Sequence, residues 1–204
     1  HRDLHSFPTR RSSDLPQAIL LVGPAPACAA AIRDFRRAGL DAVVGVVSFA
    51  GGELLLRTLA AEGARLGLDL EQNLLFSQVV PDWRDETLPA ARDYRQALVA
   101  LGDRLPPPGG WDAPVSQAGS AVGFEGYLNA RLLLAILQAM PDLDARGGLD
   151  AAVVAAGQVD IGIGRPVSLT GPAHQALDVV YLNRASGGRL VPLTQAVALA
   201  GAED

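Results

Sequence analysis

From Gln17 onward, short apolar runs alternate with stretches whose apolar residues recur at helical spacing. Ala18 to Val22 is an apolar run, followed by the small turn Gly23-Pro24-Ala25-Pro26 and an amphipathic segment from Ala27 to Ala38 that stops at Gly39. The pattern then repeats: Val43 to Val47 is apolar, Ser48-Phe49-Ala50-Gly51-Gly52 is a turn, and Glu53 to Leu66 is helical. Such alternation predicts βαβ units and a parallel sheet. In open parallel sheets ligands sit beyond the carboxyl ends of the strands, which is where both turns fall. The helices that follow offer unpaired N–H groups there to a polar or anionic ligand.

Further along, Leu74 to Val80 predicts a third strand closed by Pro81. Thr87 to Leu101 predicts a helix, with Thr87 as its cap, Pro89 in its first turn and Gly102 as its stop. Asp103 to Pro114 is rich in proline and glycine and reads as a loop that Trp111 pins to a surface. In Ser120 to Met140, Leu128, Leu132, Ala135, Ile136 and Ala139 recur at helical spacing before Pro141. Leu143 to Ala156 predicts a further helix, and Ile161 to Leu169 an edge-like β segment interrupted by Gly162, Gly164 and Pro166. Val179 to Leu182 and Arg189 to Leu193 predict a hairpin whose turn is Asn183 to Gly188, with a frayed tail after Thr194.

Composition narrows the function classes. The chain has 204 residues, 49% of them hydrophobic, enough for a sizeable core. Its formal charge is −5 and no basic run lies beyond the first fifteen residues, which argues against a nucleic-acid partner. Cys28 is the only cysteine, so neither an internal disulfide nor a zinc cluster can form. No apolar run approaches the about 20 residues that a membrane span needs. His1 to Leu15 carries charges throughout, lacks the hydrophobic centre of a signal peptide, and reads as a translated sequencing adapter fused to a truncated reading frame. It is treated as a non-native leader.

Catalytic chemistry finds no footing. His174 is the one histidine outside that leader, so a histidine metal site or a Ser-His-Asp triad is hard to assemble. The acidic residues are scattered, Gly23-Pro24-Ala25-Pro26 lacks the spacing and the lysine of a phosphate loop, and Ser48 has no G-x-S-x-G context. The expectation is a non-enzyme with no cofactor and no metal.

Four pieces in order, VG-x4-CAAAIRDFRRAGLDAVVGVVSFAGG, FSQVVPDW, GFEGYLNARLLLAIL and GPAHQALDVVYLNRASGGRLVPL, resemble the branched-chain amino-acid/amide-type periplasmic binding proteins of ABC importers. The resemblance covers roughly residues 16 to 195 and looks like the second half of such a protein. It implies a partial type I fold, α/β, with parallel βαβ units drawn from two lobes. On that reading residues 16–80 belong to the second ligand-binding lobe and 81–175 to the C-terminal part of the first. Residues 176–195 form a hairpin returning to the second lobe, and 196–204 a tail. Val80, Pro81, Asp82 and Trp83 would be the hinge, with Trp83 either packing or touching ligand. The GPAHQ stretch around His174 matches a turn that the family uses structurally.

The resemblance further implies ligand contacts from Gly23, Pro24 and Ala25 and from Ser48, Phe49 and Ala50, with Phe49 either an apolar wall or core. Amino-acid-binding members often carry a tyrosine in the first turn, where this chain has Pro24 and Ala25. Some hold the ligand's ammonium with a glutamate, where this chain has Ser48. An ammonium without a carboxylate partner loses a charge-assisted bond. The implied role is the periplasmic solute-binding component of an ABC importer, partnered by its permease, for amino acids, amides or related small carboxylates. Within that range the departures favour an amide, a carboxylate or an aromatic acid over leucine or valine. A chain holding one wall of the cleft is expected to bind weakly or not at all alone. The alternatives are a ligand-sensing domain of a regulator or receptor with the same fold, and an enzyme with a Rossmann-like half.

Overall fold

The computed structural model describes residues 16–102, 119–144, 146–170 and 175–193. Residues 1–15, Trp111, His174 and the residues after Leu193, with the expected leader and tail among them, lie outside the described residues. An open five-stranded sheet runs in sequence order: β1 (Ala18–Leu21), β2 (Val43–Val46), β3 (Leu74–Gln78), β4 (Tyr181–Ser186) and β5 (Arg189–Pro192). The first three strands are parallel and the last two antiparallel. The right-hand half of this sheet is thus closed by a hairpin that returns after more than a hundred residues.

Helices α1 (Ala25–Arg37) and α2 (Gly52–Leu66) link the parallel strands. Alternation in the strands turns Val44, Val46, Leu74 and Phe76 toward Cys28, Ile32, Leu55, Leu56 and Leu59 of the helices, forming a first core. Gly63 lets α2 approach the chain that follows it. A Cβ there would lie 2.7 Å from the Leu68 carbonyl oxygen. Because that obstacle is backbone, Gly63→Ala is expected to destabilise the protein by about 1–3 kcal/mol, read as a lowered urea midpoint at unchanged m-value.

At the amino ends of the strands Arg36 is buried, 8% exposed, and its guanidinium donates to the carbonyls of Leu40, Ala42 and Gln72. One side chain thereby ties the end of α1 to the approaches of both β2 and β3.

A second core forms around α3 (Pro89–Leu101), α4 (Ala121–Gln138) and α5 (Leu149–Ala156). Leu128, Leu132 and Ile136 are buried on α4 as their spacing predicts, together with Ala121 and the fully enclosed Phe124. Ser120 caps α4, its Oγ accepting from the Gly123 N–H at 3.0 Å.

Several expectations are corrected. Thr87 does not cap α3. The cap position is Leu88, without a side-chain bond, and the Thr87 hydroxyl donates instead to Asp85 Oδ1 at 2.6 Å. The helix predicted from Leu143 begins at Leu149, preceded by a 3-10 turn at Arg146–Gly148. Ile161 to Leu169 is not a strand: within it only Val167 makes a β contact, an isolated bridge to Val159. The hairpin turn is two residues, Gly187 and Gly188, with φ of 57° and 74°. Positive φ at both positions is what a type I′ turn requires, so β4 continues through Asn183 to Ser186.

Candidate functional site

Leu21 pairs with Val46, and Val46 pairs with Phe76, so the carboxyl ends of the three parallel strands lie on one edge. The chain leaves each strand there. The two predicted turns and the predicted crossover therefore stand side by side, in the positions that the parallel-sheet argument requires.

In the first turn, the Cys28 thiol donates to the Gly23 carbonyl at 3.3 Å, and Cys28 N donates to Pro24 O at 3.1 Å. Cys28 is buried, and burial pushes its thiol up from the usual range, which suits a packing role and not a reactive one. Helix α1 starts at Ala25, two residues earlier than predicted, with Pro24 at its cap and proline again in its first turn. Ala25 and Ala27 carry N–H groups that precede the first intrahelical bond.

In the second turn, Ser48–Ala50 is a short 3-10 turn in which Ala50 N donates to Val47 O and Gly51 N to Ser48 O. Gly51 takes the left-handed conformation, φ 70°, and launches α2. Phe49 is 64% exposed beside these helix ends, so it is not core.

Of the six predicted contacts, Pro24 and Phe49 are exposed, and Gly23 and Ser48 half-buried. Ala25 and Ala50 are 4% and 3% exposed, and their methyl groups pack in the first core, which leaves them backbone to offer. Their burial follows from the helix and the 3-10 turn beginning where an open loop is expected.

The crossover is abrupt. Gln78 is the last residue of β3, and Val80, 2% exposed, already belongs to the second core. Pro81 is buried, and Asp82 turns the chain by accepting from Arg84 N at 3.0 Å. Trp83 is half-buried and packs against the second core. Its ring meets Tyr94 edge-on at 6.2 Å, the Arg84 guanidinium sits 4.2 Å above it, and its carbonyl accepts from Arg95 at 2.8 Å. Burial, the main influence on Tyr94, pushes its phenol above the ordinary range.

One residue that sequence reasoning missed is Glu53, whose Oε1 accepts from Trp83 Nε1 at 3.3 Å and from Ala121 N at 3.0 Å. The available signal was an acid in the first turn of a helix, which is common and names no partner. Gln78 and Asn183, buried where β3 and β4 meet, were missed as well.

One groove of about 580 Å³ lies on the outer face of α3, lined by Arg92, Arg95 and Gln96, and another of about 450 Å³ lies beside α4 against the second core. Neither is lined by any of the six predicted contact residues. Among the described residues no group of His, Cys, Asp and Glu could hold a metal ion, and no helix is long and apolar enough to cross a membrane.

No curated protein matches the chain. Among solved structures it is similar to a possible leucine/isoleucine/valine-binding protein from Rhodopirellula baltica SH 1, with 29% identity and a TM-score of 0.72, covering 89% of this chain and 43% of that one. It shares the fold of a branched-chain amino-acid ABC transporter protein from Thermus thermophilus with bound valine, at 17% identity and TM-score 0.66, covering 88% and 45%. It also shares the fold of a fatty acid ABC transporter substrate-binding protein from Thermomonospora curvata, at 20% identity and TM-score 0.60, covering 86% and 42%. The chain thus spans less than half the length of these structures, and its α/β architecture is a partial type I fold. A family model described as periplasmic binding protein matches residues 2–189, and the chain belongs to that family.

Proposed function

We propose that this chain supplies one wall of the solute site in the periplasmic receptor of an ABC importer, and that the solute is an amino acid, an amide or a related small carboxylate. The observation that carries this reading is the adjacency of two helix-launching turns at the carboxyl edge of the parallel strands. Free N–H groups at the start of α1 and α2 suit a carboxylate or carbonyl oxygen, and the exposed ring of Phe49 suits an apolar flank. Neither turn contains a carboxylate, and the nearby Glu53 already accepts two hydrogen bonds. That distribution supports an amide or carboxylate over a ligand held by its ammonium. Val80 to Trp83 acts as the hinge on this reading, with the permease as partner.

The test is a titration of the chain with amino acids, amides and aromatic or aliphatic carboxylates, followed through backbone amide signals in NMR. Shifts confined to Ala25, Ala27 and Ser48 to Glu53 are expected. Shifts that cluster instead on the groove beside α4 would refute the assignment. For the ligand that binds, Phe49→Ala is expected to weaken affinity about tenfold, equivalent to about 1.4 kcal/mol.

A further inference from the structure

Glu53 is the second residue of α2, immediately after the turn that carries Ser48 and Phe49. Its position relative to the sheet is fixed from behind. A Cβ on Gly52 would lie 2.9 Å from Leu190 Cδ1 and 3.3 Å from Phe76 Cδ1, so the backbone at the start of α2 sits flush on β3 and β5. The two groups that donate to Glu53 are fixed to the other core. Trp83 is held by Arg95, by Tyr94 and by the backbone of Gly119, where a Cβ would come within 2.7 Å of the indole. Ala121 opens α4, and its N–H has no partner within its own helix.

A single carboxylate oxygen therefore joins two bodies. It receives one charge-assisted bond from the crossover and one from the positive end of α4, while standing in the first turn of α2. Ser120 satisfies the Gly123 N–H from within α4, and Glu53 satisfies Ala121 from across the joint.

We propose that Glu53 is an inter-core pin that couples the turn Ser48–Gly51 to Trp83 and to the start of α4. The angle between the two cores and the position of that turn are then linked, because the pin cannot stay made if either moves alone. The consequence for ligand capture rests on the solute-site reading above; the pin itself does not. A solute seated on the turn would bias the inter-core angle through this carboxylate.

The experiment uses the whole chain with Cys28→Ala, nitroxide labels at the exposed positions Arg57 on α2 and Ala130 on α4, and pulsed dipolar distances. Glu53→Ala is expected to broaden the label distribution, whereas Glu53→Gln, which keeps an acceptor oxygen in place, preserves most of it. In parallel, hydrogen exchange at the Ala121 amide should accelerate about tenfold in Glu53→Ala, as for loss of one hydrogen bond to a charged group. The Ile32 amide on α1 should keep its rate. An unchanged distribution with unchanged Ala121 exchange overturns the proposal. So does equal acceleration at Ile32 and Ala121, which signals general loss of stability. A chain that shows the broadening but binds no solute at the turn retains the pin and loses the solute-site reading.

Discussion

Phe124→Ala is expected to cost about 3–5 kcal/mol, measured as the fall in unfolding free energy in urea with Trp83 fluorescence as the probe. Phe124 is fully enclosed on α4, with ring centroids of Tyr94 and Tyr127 at 5.3 and 6.4 Å. Those neighbours are themselves fixed. Tyr94 accepts from Ser120 N at 3.3 Å, and Tyr127 lies beneath Arg131, which is paired with Asp93 at 2.7 Å. The space left by the ring can therefore collapse only slightly, and the cavity term adds to the lost burial. Phe124→Leu should recover more than half of the loss. A cost under about 1 kcal/mol for the alanine variant would show that the second core repacks freely, against its enclosed geometry.

Arg36→Met is the second large effect, at about 3 kcal/mol, again from urea unfolding. Two terms oppose each other. Removing a buried charge that has no carboxylate partner among its bonds relieves desolvation, which often makes such replacements neutral. Here the acceptors are backbone carbonyls of Leu40, Ala42 and Gln72, and the Ala42 carbonyl is bonded within the buried interior. Methionine matches the volume but leaves that carbonyl without a donor, and the strand approaches lose their common tether. Loss of the bonds is expected to win. Arg36→Lys should recover only part, since a compact ammonium cannot reach three separated carbonyls as a planar fork does.

Much of the first half of the fold is legible because local signals agree with one another there. The apolar runs of β1 to β3 are short and bounded, and Gly39, Gly51 and Gly67 stand at helix boundaries in conformations that favour glycine. The strand-end turns were legible for the same reason, since parallel strands must place their following loops on one edge. The polar half of β4 was not. Asn183, Arg184 and Ser186 read as turn residues, and they are strand because β3 lies on one side and β5 on the other. Residues 161–169 failed in the opposite sense. Their apolar positions are buried against α3 and α4 with no strand to pair with, Ala90 N donating to Gly162 O at 2.9 Å instead.

Within the candidate site, Ala25 and Ala50 could not be sorted from Gly23 and Phe49 without the helix start being known to the residue. Glu53 was beyond reach altogether. Its acceptor geometry depends on Ala121, 68 positions away, and no spacing rule connects an acid in one helix to the first amide of another.

The pairing of Gln78 with Tyr181 has a mechanical consequence. The outgoing and returning strands of the crossover are neighbours in one sheet, about 4.8 Å apart. A neck that narrow resists shear, because sliding one half past the other would strip the ladder bonds of both strands together. Bending across it would fall on the residues just beyond the ladder, which on the proposed reading include the hinge Val80 to Trp83. On the hinge reading proposed above, the paired straps favour swinging over slipping.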